Sequence, residues 1–237
     1  CEIGAVLNHN LEKMVNNLFN YYFIKFEPFK KNEYFNSKLG NIPKGWKISE
    51  LGEYCKLKSG FAFKSAWWQE SGIKIIKIKN IKQGKIDLSD CSFVSFDKIS
   101  NASEFLVKEG DLIIAMTGAT LGKFSIVPKY DEPLYVNQRV WKFFLGEKPL
   151  LKLPFLWGLL NQKRIFDEII KRGQGSAQPN ISPKDIESIP IIYPPKNIID
   201  KFNDKCIPLF NLMITNSYEI EKWTIIRDIL LPKLMLG

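Results

Sequence analysis

Residues that usually carry chemistry are scarce in this sequence. It holds one histidine, His9, and four cysteines, at positions 1, 55, 91 and 206, with no C-x-x-C pair. Structural zinc sites and disulfide frameworks need closely spaced cysteines, so the scatter argues against both. Isolated cysteines suit a reducing cytoplasm and usually serve as small core fillers. His9 has no Asp or Cys placed to work with it, and is expected as an exposed helix residue rather than a base. No uncharged apolar run reaches the roughly 20 residues that cross a bilayer, and no signal peptide opens the chain. A cytoplasmic protein with no membrane contact is the expectation. The first residue is Cys1 rather than Met, which suits a fragment or a processed form.

Catalytic motifs are missing as well. Gly118 and Gly122 enclose three residues rather than the four of a phosphate-binding Walker loop, and Phe124 follows Lys123 where Ser or Thr is required. Tyr193-Pro194-Pro195-Lys196 has the wrong order for an amino-methyltransferase motif. Asp185 and Glu187 have no following lysine placed to complete a nuclease-like metal site. No catalytic constellation results, so the chain is expected to bind rather than react.

What is present is positive charge in one place. Net charge is +9 over 237 residues. From Leu39 to Pro195 there are 23 Lys plus Arg against 16 Asp plus Glu, while the flanks hold 11 against 9. A basic middle with nearly neutral ends points to a polyanion partner for the middle and protein contacts for the ends. An apolar content of 45% is ample for a core.

Periodicity orders the chain. Leu7, Leu11, Met14, Leu18 and Tyr21 recur at spacings of four and three, predicting an N-terminal helix over 1–27 that stops before Pro28. Residues 28–38 are polar and read as a linker. In the middle region, Ile73 to Ile81 alternates apolar and polar residues and predicts a strand with Lys77 and Lys79 on its solvent face. Lys74, Lys77, Lys79, Lys82 and Lys85 lie within twelve residues. They fit a solvated strand edge and a backbone-phosphate track equally well. The runs Leu112–Met116 and Phe124–Val127 predict a central hairpin, with Thr117, Gly118, Thr120 and Gly122 at its tip. That tip reads as structure, or as a place where backbone amides approach an anion. Tyr135 to Phe144 predicts a further strand carrying Gln138 and Arg139. Pro154 opens a helix whose last turn holds Lys171 and Arg172, and the loop from Gly173 to Asn180 is rich in amides and hydroxyls. Ser182, with Pro183 and Asp185, predicts a capped turn before a strand at Ile189–Tyr193. From 196 to 237 a seam of Ile199, Phe202, Cys206, Leu209, Met213, Asn216, Ile220, Trp223, Arg227, Leu230 and Leu234 predicts a long coiled-coil helix, kinked or broken at Pro208.

Five stretches together resemble the specificity (S) subunit of type I restriction-modification enzymes. Leu11-Glu12-Lys13-Met14-Val15-Asn16-Asn17-Leu18-Phe19 with Phe26-Glu27-Pro28 is similar to that family's central conserved helix. Gly40-Asn41-Ile42-Pro43-Lys44-Gly45-Trp46 resembles the opening of a target recognition domain. Gly110 to Gly122 resembles the family's central hairpin, and Ser176 to Pro195 its closing segment. Arg227-Asp228-Ile229-Leu230-Leu231-Pro232-Lys233-Leu234 is similar to the end of the C-terminal conserved helix. Members usually carry two recognition domains, and this chain has one, so it looks like a C-terminal half or a half-subunit.

The resemblance implies an α+β fold: a mixed, β-rich target recognition domain over 39–195, flanked by long helices that form an antiparallel coiled-coil-like pair. It implies double-stranded DNA as ligand, and as partners the modification (methyltransferase) subunits, the restriction subunit, and a second copy or other half of the specificity subunit. S-adenosylmethionine, ATP and Mg²⁺ belong to the partner subunits, and no cofactor to this chain. Candidate phosphate contacts are Lys77, Lys79, Lys82 and Lys123, with Thr117 and Thr120 at the hairpin tip. Candidate base readers are Gln138, Arg139, Gln174, Gln178 and Asn180, since amides and guanidinium pair with base edges. The alternative is a non-catalytic coiled-coil scaffold without sequence-specific DNA binding, which leaves the charge concentrated in the middle unexplained.

Overall fold

The computed structural model describes residues 2–100, 102–174 and 179–235. It opens with helix α1 (Glu2–Phe19), which ends in one π turn at Asn20–Ile24. Phe26 turns the chain with φ +52, and a 3-10 turn at Glu27–Phe29 follows. The helical turns end at Ile24, a little short of the end at residue 27 expected from Pro28, and the buried face differs from the expected seam. Leu11, Val15, Phe19 and Phe23 are buried, while Leu7, Met14 and Tyr21 are exposed. The reason is that α1 packs on two helices at once. Phe19 lies 5.8 Å from Phe155 and 5.9 Å from Phe202, ring to ring, so an i, i+4 row faces inward instead of a single-partner heptad seam.

Residues 28–38, expected as a linker, hold part of an exposed antiparallel hairpin, β1 (Tyr34–Ser37) with β2 (Gly40–Pro43). Both faces of β1 are largely exposed, so its composition resembles that of a loop. The chain continues as β3 (Lys47–Glu50), α2 (Leu51–Tyr54), β4 (Lys56–Lys58), β5 (Trp68–Gln69) and β6 (Ile73–Ile76). Next come β7 (Ile81–Lys82), β8 (Lys85–Ile86), β9 (Ser92–Val94), β10 (Leu106–Val107), β11 (Leu112–Ala115), β12 (Phe124–Ile126), β13 (Leu134–Val136) and β14 (Val140–Phe144). The last elements are α3 (Leu153–Leu160), α4 (Lys163–Gly173), α5 (Pro183–Glu187), β15 (Pro190–Tyr193) and α6 (Lys196–Met235).

Two sheets organise the middle. One has the order β12-β11-β14-β4 and is antiparallel; the other has the order β10-β13-β6-β9-β5, with β13 and β6 parallel. The predicted central hairpin is β11 paired with β12, Leu112 opposite Ile126. All four residues of β11 are buried. Leu112 and Ile114 join the large core under the helices, whereas Ile113 and Ala115 join a second core with Ile76 and Val136 between the sheets. A strand covered on both faces reads as a continuous apolar run, which is how this one appears in the sequence.

Three expected elements are each divided. The strand over 73–81 stops at Ile76 because Asn80 folds the next residues into a 3-10 turn. Its Oδ1 accepts the Lys77 N–H at 2.9 Å, and its Nδ2 donates to the carbonyls of Asp87 and Asp90. The strand over 135–144 is β13 and β14, which belong to different sheets. The helix from Pro154 is α3, buried throughout, then α4, with the break at Asn161-Gln162. The capped turn is present as expected: Ser182 Oγ accepts the Asp185 N–H at 3.2 Å, and the Asp185 carboxylate accepts the Ser182 N–H at 3.0 Å.

The terminal helices run antiparallel. Phe19 meets Phe202, Asn8 donates to the Met213 carbonyl and Ser217 Oγ at 3.1 and 3.0 Å, and Gly4 faces Ile220. Helix α6 is continuous through Pro208, where a kink or a break was expected, so the proline does not break it. Of its predicted seam, Ile199, Phe202, Cys206 and Met213 are buried and Leu209 is half-buried, while further out Trp223 is 59% and Leu230 48% exposed.

Candidate nucleic-acid interface

The two sheets meet where the chain leaves one for the other, at Asn137-Gln138-Arg139. This turn follows β13 and lies beside Lys77, which follows the parallel strand β6; the Asn137 N–H donates to the Ile76 carbonyl at 2.9 Å. On its other side stands the hairpin tip. Met116 N–H donates to the Arg139 carbonyl at 3.0 Å, Thr117 bridges Asn180, and Gly118 N–H donates to the Pro179 carbonyl at 3.0 Å. The result is a cleft of about 620 Å³ lined by Met116, Thr117, Gln138, Arg139, Trp141 and Asn180, among others. Gln138 and Arg139 are exposed, and neither side chain bonds to another described residue. Four candidates scattered over 64 residues of sequence, Thr117, Gln138, Arg139 and Asn180, therefore share one site.

The remaining candidates fall differently. Gln174 is exposed just after α4, and the carbonyl of its neighbour Gly173 accepts the Asn180 N–H at 2.9 Å, which places it beside the cleft. Thr120 sits on the 3-10 turn Gly118–Thr120; its hydroxyl and that of Thr117 have no hydrogen-bond partner among the described residues. Lys123 is half-buried just before β12 and does not line the cleft. Gln178 lies outside the described residues. The glycines of the tip serve packing: a Cβ on Gly122 would lie 2.8 Å from Ile170 of α4, and Gly122 has φ +79.

Of the lysine track, only Lys77 stands next to the cleft. Its ammonium rests 3.4 Å from the centroid of the Trp68 ring, and burial together with the charge of Lys79 holds its pKa below the ordinary lysine value. Lys79 is paired with Asp90 at 2.8 Å. Lys82 is in the β7–β8 hairpin, whose Gly84 lies against Glu12 of α1, on the helix side of the domain. The five lysines do not form one face, because the 3-10 turn at Ile78–Asn80 breaks the strand alternation that would have aligned them.

The fold also supplies groups that periodicity misses. Trp141 Nε1–H donates to the Gln138 carbonyl at 3.1 Å. Lys64 stands 5.4 Å from the centroid of Trp67, which is stacked on Phe61, and Phe61 bridges Asn137. The aromatic density of Phe61-Ala62-Phe63-Lys64 and Trp67-Trp68 was the available signal for this ledge. Among the described residues no three His, Cys, Asp or Glu side chains gather as a metal site, and no helix is long and apolar enough to cross a membrane.

Comparison with known proteins shows the family. The family described as "Type I restriction modification DNA specificity domain" matches residues 43–211. The chain is 31% identical over 236 residues to the type I restriction enzyme MjaIX specificity subunit of Methanocaldococcus jannaschii, covering 97% of this chain and 53% of that protein. It is 30% identical over 149 residues to the EcoAI specificity subunit of Escherichia coli, covering 62% of this chain and 25% of that one. The chain thus spans about half the length or less of these curated relatives. The crystal structure of a type I restriction-modification S subunit from M. genitalium superposes with TM-score 0.58 over 98% of this chain and 56% of that one, at 20% identity, which supports the fold. With most of its length matched, sheets and cleft included, the chain belongs to the type I restriction-modification DNA specificity domain family.

Proposed function

We propose that this chain reads duplex DNA for a type I restriction-modification system, directing methylation and cleavage that partner subunits perform. The observation that carries the reading is the cleft. It presents an exposed guanidinium and an exposed amide, Arg139 and Gln138, beside Asn180, at the junction of two sheets in a basic domain. Arginine pairs bidentately with guanine, and Asn or Gln with adenine, in the major groove. Lys77 and Lys64, each held over an indole ring, supply phosphate contacts at the border of the cleft. The chain itself is non-catalytic: S-adenosylmethionine, ATP and Mg²⁺ act on the modification and restriction subunits.

The end of α6 is the surface for assembly. Trp223, Ile226, Leu230 and Leu234 are exposed along one stripe of the helix. A second copy, or the other recognition half of a longer specificity subunit, would cover it. Two identical halves related by two-fold symmetry would read a palindrome interrupted by unread base pairs, and two different halves an asymmetric target.

Filter binding on mixed-sequence duplex DNA at rising salt tests the reading. Binding that falls steeply with salt is expected, and methylation mapping in a host carrying the whole system would supply the target. A chain with no salt-dependent DNA binding would be a scaffold instead.

A further inference from the structure

The Asn137–Arg139 turn is held more firmly than its exposure suggests. All of its carbonyls are engaged: Asn137 accepts from Val140 N–H at 2.7 Å, Gln138 from Trp141 Nε1–H at 3.1 Å, and Arg139 from Met116 N–H at 3.0 Å. Its amides reach the neighbouring segments, Asn137 to the Ile76 carbonyl and Gln138 to the Phe61 carbonyl, each at 2.9 Å. Only one of these bonds comes from a side chain. The segment that carries Phe61 also passes so close that a Cβ on Gly60 would lie 2.2 Å from the Asn137 carbonyl oxygen, a backbone atom that cannot swing aside.

We propose that Trp141 and Gly60 are positioning residues for base reading, which hold the Gln138–Arg139 turn in the conformation that meets the DNA. The inference rests on the cleft being the reading surface. A loop fixed before binding loses less conformational entropy on binding, and it presents its polar ends at a set angle and depth. Trp141 pins the one carbonyl of the turn that no backbone amide reaches. Gly60 is there because no side chain fits between its segment and the turn. Neither residue needs to touch a base.

The test starts from the wild-type chain and a pool of random-sequence duplexes, from which it selects its own target. Discrimination is then the ratio of affinities for the selected duplex and a scrambled one. Arg139→Ala should reduce that ratio about tenfold or more, as loss of one bidentate base contact does. Trp141→Phe keeps an aromatic ring but deletes the indole N–H together with the pyrrole part of the ring, so Gly60→Ala is the control that leaves the indole whole. Trp141→Phe should lower discrimination about three- to tenfold, the worth of one net hydrogen bond. That loss should vanish in an Arg139→Ala, Gln138→Ala background, where nothing is left to position. A merely structural role would give the same loss in both backgrounds. Gly60→Ala, which leaves the indole intact, is the second variant and should behave in the same way. Undiminished discrimination in both variants, or losses that persist in the double-alanine background, would overturn the positioning role while leaving the cleft reading in place. Unchanged discrimination in Arg139→Ala, or a wild-type chain that selects nothing, would overturn the cleft reading and this inference with it.

Discussion

Single residues in this domain differ sharply in what their charge is free to do. Lys77, Lys79 and Lys82 look equivalent in the sequence, yet Lys79 is engaged by Asp90 and Lys82 lies on the hairpin that packs towards α1. Lys77→Ala should weaken binding to every duplex and reduce the salt slope by about one unit, the contribution of one phosphate contact. The triple replacement of Lys77, Lys79 and Lys82 should then reduce it by little more than Lys77→Ala alone, read from binding constants over a salt series. At the turn proposed to read bases, Arg139→Ala should cost about 1–3 kcal/mol of specific affinity and relax preference at one position of the target, with the salt slope nearly unchanged. The candidate residues were legible one by one, because amide and guanidinium side chains carry the donors and acceptors that pair with base edges. Their company was not: Thr117 and Asn180 meet only because the hairpin tip docks on the segment after α4.

Among the elements, the helix pair and the capped turn make separable demands. Phe202 is fully buried against Phe19 and Phe23, with ring centroids 5.9 and 4.9 Å away. Phe202→Ala should therefore destabilise the chain by about 3–5 kcal/mol, seen as a lower denaturant midpoint. Trp223 belongs to the same seam by spacing, but its exposure means that Trp223→Ala should change the stability of the isolated chain by less than about 0.5 kcal/mol. Ser182→Ala removes the cap of α5 and should cost about 1 kcal/mol. The Asp185 carboxyl is held below its ordinary range by the Ser182 hydroxyl and N–H. A carboxyl lowered in the folded state stabilises it above the unfolded value and ceases to do so as pH falls through the lowered one. The difference between wild type and Ser182→Ala should therefore be full at neutral pH and shrink below about pH 4, in paired denaturation curves.

For the whole molecule, the exposed outer part of α6 is the surface proposed for assembly. Association through that stripe should make the chain sediment above monomer mass at tens of micromolar. Trp223→Asp with Leu230→Asp should return it to monomer and leave its melting temperature within a few degrees, since neither side chain is packed inside the chain. A strictly monomeric wild type would show that α6 needs a different partner.

Local signals in the sequence determined a good deal: the continuous apolar run of β11, the glycines bounding its hairpin, the Ser182 cap, the excess of basic residues in the middle, and two amphipathic ends long enough to be helices. These depend on residues a few positions apart, and their physics is complete within a short stretch. Tertiary structure decided the rest. The face that α1 buries depends on α3 and α6 arriving together, so a heptad fitted to one partner selected the wrong row. The break at Asn80 depends on the Asp87 and Asp90 carbonyls that the following hairpin brings back to it, and the one at Asn137–Arg139 on the distant backbone of Phe61, Ile76 and Met116. An apparently unbroken strand there becomes a junction between two sheets, and that junction is what places Gln138 and Arg139 at the mouth of the cleft.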